Sequence, residues 1–259
     1  MFKKVLSILT VFAVIVVFSS CTADTNEDTS RIDETAESVT SETTEKQKET
    51  SEIINSQADS TEELEFEIIK YVEDEIAALN DELSSLTERI TTYDKYVKNI
   101  DDVEAFYEKV SNTSEFIAVR LCEYSIVYSE IILDSDMPTD EMYDATDDLY
   151  DCIYDDAADI LYDGIYDGVL KDLYDAFYDG VISDGMDSAN YSEWYDISSD
   201  AYELWYDISS DCYEHWYDMH SDVYGFWSDV RSELFGNDID GARDEIADFK
   251  EDVEKMKQD

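Results

Sequence analysis

A repeat of eleven residues fills residues 194–237 and constrains the fold more than any other feature of the sequence. Its four copies read WYDISSDAYEL, WYDISSDCYEH, WYDMHSDVYGF and a diverged WSDVRSELFGN. At about 100° per residue, eleven residues make three α-helical turns plus about 20°. Because each copy begins with tryptophan, one helix face carries Trp194, Trp205, Trp216 and Trp227. The period therefore predicts an amphipathic helix over residues 188–235.

A second repeat, of twelve residues, precedes the first. Its copies are LYDCIYDDAADI, LYDGIYDGVLKD and LYDAFYDGVISD, over residues 149–184. A β-hairpin interpretation places turns at Asp163-Gly164 and Asp167-Gly168, which leaves too few residues between them for strands. A helix over residues 140–183 is therefore predicted. Tyrosines four residues apart drift by about 40° per step on an α-helix, so their row is expected to wind around it.

Upstream of both repeats, apolar residues recur every three or four positions from Ile69 to Ile100, which is typical of a coiled-coil helix. We predict helices at 61–110, 115–134, 140–183, 188–235 and 239–257, with a break at Ser111–Ser114. The predicted fold is all-α: an elongated antiparallel bundle of long amphipathic helices, forming a single domain over residues 61–259.

The charge of the chain limits its partners. It has 67 acidic and 17 basic residues, for a net charge of −50. No basic patch exists to replace phosphate counterions, so nucleic-acid binding is excluded as a function. With 13% aromatic residues, the chain is nevertheless too apolar to be disordered throughout.

The N-terminal residues have the pattern of an export signal. Lys3 and Lys4 precede an uncharged apolar run over residues 5–18, which is shorter than a membrane span. The run ends in Phe18-Ser19-Ser20-Cys21, which resembles a bacterial lipobox except for the aromatic Phe18. The resemblance implies a signal peptide over 1–20, a lipid on Cys21, and anchorage to the outer face of a bacterial membrane. An ordinary cleaved signal with an incidental Cys21 is the alternative.

Residues 21–60 are rich in Ser, Thr and Glu, and contain no aromatic residue. Such a segment buries too little apolar surface to offset chain entropy, so it is predicted to be a disordered tether.

No residue pattern in the chain indicates catalysis. His215 and His220 are the only histidines, and no hydrolase, metalloprotease or nucleotide-binding motif is present. We predict no enzyme activity and no cofactor. Cys122, Cys152 and Cys212 show no CxxC spacing, so we expect them to be small buried residues. Residues 237–241 resemble part of an EF-hand loop, but its first and twelfth ligands would be Gly236 and Ala247, so no metal site is predicted.

Two functions remain open from the sequence. The first is a structural or protein-interaction module at the cell surface, with an unidentified protein or glycan partner. The tryptophan stripe would then be either core or an interaction face. The alternative is an acidic binding protein that captures cations or cationic peptides.

Overall fold

A computed structural model describes residues 61–187 and 190–257 of the chain. In chain order its elements are α1 (Thr61–Arg89), α2 (Tyr93–Lys98), α3 (Ile100–Leu133), α4 (Thr139–Tyr150), π1 (Asp151–Ala157), α5 (Ala158–Leu161), π2 (Tyr162–Val169), α6 (Leu170–Leu173), π3 (Tyr174–Ile182), a 3₁₀ turn (Gly185–Asp187), α7 (Tyr191–Phe235) and α8 (Ile239–Met256). The predictions about the signal peptide, Cys21 and the tether lie outside the described residues.

The predicted all-α bundle is confirmed, since residues 61–187 and 190–257 form helices and no strand. The helix α3 packs against α1, α7 and α8. Its second half is accordingly buried on several sides, as the fully buried Leu121, Cys122 and Tyr128 show. The long helix α7 packs against α3, α4 and α8, so α3 and α7 form the centre of the bundle.

The predicted helix boundaries in the first third of the bundle are wrong. The helix expected over 61–110 is interrupted after Arg89, where Thr92 has extended backbone angles. This bend places both Ile90 and Tyr96 in the core. The break expected at residues 111–114 is absent, because Ser114 is a small buried residue within α3 that hydrogen-bonds the Cys212 thiol of α7.

A π turn interrupts each copy of the twelve-residue repeat: π1 the first, π2 the second and π3 the third. A π turn closes its hydrogen bond five residues along the chain, so it holds one residue more than an α turn. Twelve residues with one such turn therefore rotate about as far as eleven α-helical residues, which is three turns plus about 20°. The two repeats thus have the same angular period, despite their different lengths.

The prediction of a helix over residues 140–183 is confirmed, but the predicted winding of its tyrosines is wrong. We call residues 139–182 the π-rich helix. Its tyrosines stack in pairs, with ring centroids 4.8–5.1 Å apart, and all three pairs contact aromatic residues of α7: Tyr150–Tyr154, Tyr162–Tyr166 and Tyr174–Tyr178. The extra residue in each π turn cancels the drift, so the pairs stay on one side.

Tryptophan indoles connect the two repeats in register. Each donates its Nε1–H to a backbone carbonyl of the π-rich helix: Trp194 to Ile182 (2.8 Å), Trp205 to Leu170 (3.1 Å) and Trp216 to Ala158 (3.0 Å). The donors advance by eleven residues while the acceptors recede by twelve. The two helices are therefore antiparallel, and they stay in phase over three repeats.

The fourth tryptophan shows where this register ends. Trp227 is fully buried, and its Nε1 has no hydrogen-bond partner. One repeat before Ala158, the corresponding acceptor would be the carbonyl of Thr146. Thr146 belongs to the regular helix α4, which precedes the first π turn. Without that turn, the angular match is lost, and the hydrogen bond is not formed.

We predict that the indole N–H of Trp205 stabilises the fold by about 1 kcal/mol, the net value of one hydrogen bond. Replacing Trp205 with 3-benzothienylalanine keeps the shape of the ring and removes the donor. The same replacement at Trp227 removes a buried N–H without a partner, and we expect it to be neutral or stabilising. Urea unfolding midpoints measure both changes. Equal losses at the two positions would contradict the role of the hydrogen bond.

Candidate functional site

Three equivalent groups of side chains line the junction between the π-rich helix and α7. Each contains a stacked tyrosine pair, an aspartate and one tyrosine of α7. They are subsite 1 (Tyr150, Tyr154, Asp155, Tyr224), subsite 2 (Tyr162, Tyr166, Asp167, Tyr213) and subsite 3 (Tyr174, Tyr178, Asp179, Tyr202). The α7 ring lies 5.5–6.1 Å from the second ring of the pair in all three subsites. We call the three subsites together the tyrosine seam.

The tyrosine seam is open to solvent. Its three α7 tyrosines are exposed, and the stacked pairs are half-buried. A second row on α7 lies further out, with more than half of each side chain exposed: Tyr195, Tyr206 and Tyr217. Exposed aromatic rows of this extent are unusual on protein surfaces and are typical of binding sites.

Carboxylates lie close to the tyrosine hydroxyls. Burial is the main reason that the pKa of Tyr162 is raised, and the charge of Asp167 raises it further. The pKa of Tyr174 is raised in the same way, by burial and then by Asp179. Burial and the neighbouring Tyr154 and Asp155 raise the pKa of Tyr150 to about 12. These three phenols therefore stay protonated, and an exposed carboxylate lies near each of them.

Subsite 1 differs from the other two because Arg231 and His220 of α7 contact its stacked tyrosines. The Arg231 guanidinium lies over the rings of Tyr143 (5.1 Å) and Tyr150 (5.5 Å), and it pairs with Asp147 at 2.5 Å. The His220 ring stacks on Tyr154, with centroids 3.8 Å apart. Burial lowers the pKa of His220, whereas the charges of Asp159 and Asp155 act in the opposite direction.

The structure places the predicted tryptophan stripe at the inner edge of the tyrosine seam. Trp194, Trp205 and Trp216 are half-buried, and Trp227 is fully buried. Trp205 and Trp216 contact the tyrosines Tyr174 and Tyr162, respectively. The seam tyrosines were not singled out by the sequence interpretation. The signal that could have identified them is the one-residue difference between the two repeat periods.

The other residues considered in the sequence do not form a site together. Cys122, Cys152 and Cys212 are free and buried, as predicted, and burial raises the pKa of all three thiols. In the EF-hand-like segment, Asp238 instead caps helix α8 by accepting the Gly241 amide at 2.8 Å. In the described part of the chain, no three His, Cys, Asp or Glu side chains are placed to hold a metal ion.

Comparison with known proteins adds no family to this description. No family model matches the chain, and no curated protein or solved structure is detectably similar to it. Among the helices of residues 61–187 and 190–257, none has both the length and the apolar character needed to cross a membrane.

Carboxylates that lie close together perturb one another in two places. Burial raises the pKa of Asp151, and the neighbouring Asp147 and Asp155 raise it further. Burial likewise raises the pKa of Asp222 where α8 covers α7, and Asp218 and Asp252 add to the effect. Both carboxylic acids hold their protons more tightly in the folded state than in the unfolded chain.

Glu123 behaves in the opposite way. Burial alone would raise its pKa, but hydrogen bonds from Lys257 and Arg120 outweigh burial and lower it. The stability that Glu123 contributes is therefore present above the ordinary carboxyl range and is lost as the pH falls below it.

We predict that the free energy of unfolding rises as the pH falls through the raised pKa values of Asp151 and Asp222 toward the ordinary carboxyl range. Protonation there relieves the cost of burying their charges, whereas below the ordinary range, near pH 4, Glu123 protonates and stability declines. Asp222→Asn should stabilise the protein at pH 7 and flatten this dependence. Asp200→Asn, at the same repeat position but exposed, is the control. Urea titrations at constant ionic strength measure the free energy of unfolding at each pH. A free energy of unfolding that rises steadily from pH 5 to 7 would contradict this prediction.

Proposed function

We propose that this protein is a non-enzymatic interaction module, anchored to the outer face of a bacterial membrane by a lipid on Cys21, and that the tyrosine seam is its binding surface. One observation carries the proposal. Two rows of tyrosines are exposed to solvent along α7. The tryptophan hydrogen bonds hold the backbone of α7 against the π-rich helix. A rigid aromatic surface loses little conformational entropy when a partner covers it.

The composition of the seam supports a protein partner. Tyrosine presents a large apolar ring together with a hydroxyl, and it is enriched where proteins bind one another. The seam repeats every three helical turns, about 16 Å along α7. A surface with this period suits a long partner that makes the same contact several times.

Capture of single metal ions receives less support from the geometry. The exposed aspartates of α7 include those at the third repeat position (Asp196, Asp207, Asp218) and at the seventh (Asp200, Asp211). Calcium needs six to eight oxygens within about 2.6 Å, and among the described residues no three His, Cys, Asp or Glu side chains are placed to hold a metal ion. The acidic rows therefore favour an extended cationic partner over a single ion.

Photo-crosslinking in intact cells tests the binding surface. A photoreactive amino acid replaces Tyr206 of the outer row in the full-length protein, and Asp81, exposed on α1, is the control position. We expect an adduct of discrete mass from position 206 and none from position 81. Equal adducts from both positions, or none from either, would contradict an interaction module that binds through this surface.

The membrane anchor has its own test. In the Cys21→Ala variant, the thiol that would carry the lipid is missing, so we expect the protein to leave the membrane fraction. The Cys122→Ala variant changes a buried cysteine of the bundle and should remain membrane-bound. Retention of Cys21→Ala in the membrane would show that the apolar leader itself is the anchor.

A further inference from the structure

The helix α8 covers only the second half of the groove between α3 and α7. It contacts both helices, and its Phe249 ring stacks on Phe226 of α7 with centroids 4.4 Å apart. Because the chain reverses direction at Gly236, the 18 residues of α8 run back along the end of α7 for about 27 Å. The helix α7 has 45 residues and is about 68 Å long. Its first half therefore extends beyond α8.

Equivalent positions of the eleven-residue repeat show that the first half of α7 is less covered. At the fourth position, the exposed fraction of the side chain falls along the helix: Ile197 (half-buried), Ile208 (9%), Met219 (3%) and Val230 (0%). At the eleventh position, Leu204 is half-buried, whereas Phe226 is buried beneath α8. We call the uncovered part of the groove, between residues 194–215 of α7 and 104–119 of α3, the open groove.

The wall that α3 contributes to the open groove is acidic. Leu133 of α3 is buried, and its carbonyl accepts a hydrogen bond from Arg243 of α8 at 2.9 Å. At about 100° per residue, Glu104, Glu108 and Glu115 lie within about 20° of Leu133 around the helix axis. All three are exposed, and no Lys or Arg of the described helices pairs with them. The side of α3 that meets α8 therefore continues as a row of glutamates.

The wall that α7 contributes is acidic as well. Asp200 and Asp211 occupy the seventh repeat position and are exposed. Asp222 at the same position is half-buried, close to Asp252 of α8. The open groove therefore has an apolar floor between two acidic rims.

The contacts of α8 show what kind of helix this groove holds. The apolar face of α8 is buried and consists of four residues: Ala242, Ile246, Phe249 and Val253. Beside this face, bases pair with acids of α3: Arg243 with Asp134 (2.7 Å), Lys250 with Glu130 (3.3 Å) and Lys257 with Glu123 (2.7 Å). A helix seated in the open groove would meet the same apolar repeat positions, with unpaired acids on both sides. Complementarity therefore favours a helix with bases on both flanks of its apolar face.

We propose that the open groove binds an amphipathic α-helix of a partner protein, with an apolar face like that of α8 and basic residues on both flanks. The first two copies of the repeat span about 33 Å, so the groove accommodates a helix as long as α8. A second copy of this chain fits less well, because its net charge of −50 repels it. Leu204 in the groove and Tyr202 in the tyrosine seam lie about 160° apart around α7. The open groove is therefore a second surface, beyond the one in the proposed function.

The probe is a synthetic peptide as long as α8, with four apolar residues at the α8 spacing, lysine beside them and glutamine elsewhere. A control peptide has the same composition, with its apolar residues spread around the helix. Binding of each labelled peptide to the full-length protein in neutral lipid vesicles is measured by fluorescence anisotropy at about 0.15 M salt. We expect the probe to bind at least about tenfold more tightly, since only it can bury its apolar residues together. Equal binding would show attraction by net charge alone and would overturn the proposal.

Two lysine substitutions locate the bound peptide. Leu204→Lys puts a positive charge in the floor of the open groove, whereas Ser210→Lys adds the same charge at an exposed position of α7 outside it. We expect Leu204→Lys to weaken binding of the probe at least about tenfold, the contribution of one buried leucine. Ser210→Lys should weaken it less than about twofold. Equal effects, or binding that survives Leu204→Lys, would place the peptide elsewhere and overturn the proposal.

A second pair of variants serves if circular dichroism shows that Leu204→Lys is misfolded. Glu115→Lys reverses a charge on the α3 rim, and Asp81→Lys makes the same change on the exposed surface of α1. Only Glu115→Lys should weaken binding of the probe, by about fivefold, as expected for the reversal of one ion pair. Equal losses at the two positions would overturn the proposal. A dimer of the protein that Glu115→Lys dissociates would also overturn it, since a second copy would then occupy the groove.

Discussion

The hydrogen bond from a tryptophan indole to a backbone carbonyl is the interaction on which the rest of this structure depends. It forms three times, at intervals of eleven residues on α7 and twelve on the π-rich helix. Such a ladder requires both helices to rotate equally per repeat. The π turn meets this requirement because it takes up one residue without adding rotation. At Thr146, which precedes the first π turn, the hydrogen bond from the next tryptophan is absent.

The same angular match produces the surface of the molecule. If the twelve-residue repeat were entirely α-helical, its tyrosines would turn away from α7 by about 120° per copy. With the π turns, each tyrosine pair faces the same side of α7, and the three subsites of the tyrosine seam are equivalent. The many carboxylates remain exposed along both helices, where water screens their repulsion. The seam is therefore both aromatic and strongly acidic.

Much of the fold could be predicted from the sequence, because the periods of Trp194 to Trp227 and of the heptad residues are helical. The π turns could not be predicted from one helix alone. Their cause is the partner helix, whose eleven-residue period the twelve-residue copies must match. The bend at Thr92 could not be predicted for a similar reason. It depends on the burial of Ile90 and Tyr96 against other helices, which the local sequence pattern does not show. Within the candidate site, the tryptophans could be identified from their period in the sequence. The grouping of the tyrosines could not, because it depends on the register between the two helices.

Deletion of single glycines tests the angular match most directly. Removing Gly168 shortens the second twelve-residue copy to eleven, so π2 can become an ordinary α turn and every later contact keeps its angle. Removing Gly225 of α7, where a Cβ would touch nothing within 4 Å, turns the buried Phe226, Trp227 and Val230 by about 100°. Urea unfolding should show that the Gly168 deletion changes stability by at most about 1 kcal/mol, whereas the Gly225 deletion costs more than about 4 kcal/mol. Equal destabilisation by the two deletions would contradict the account.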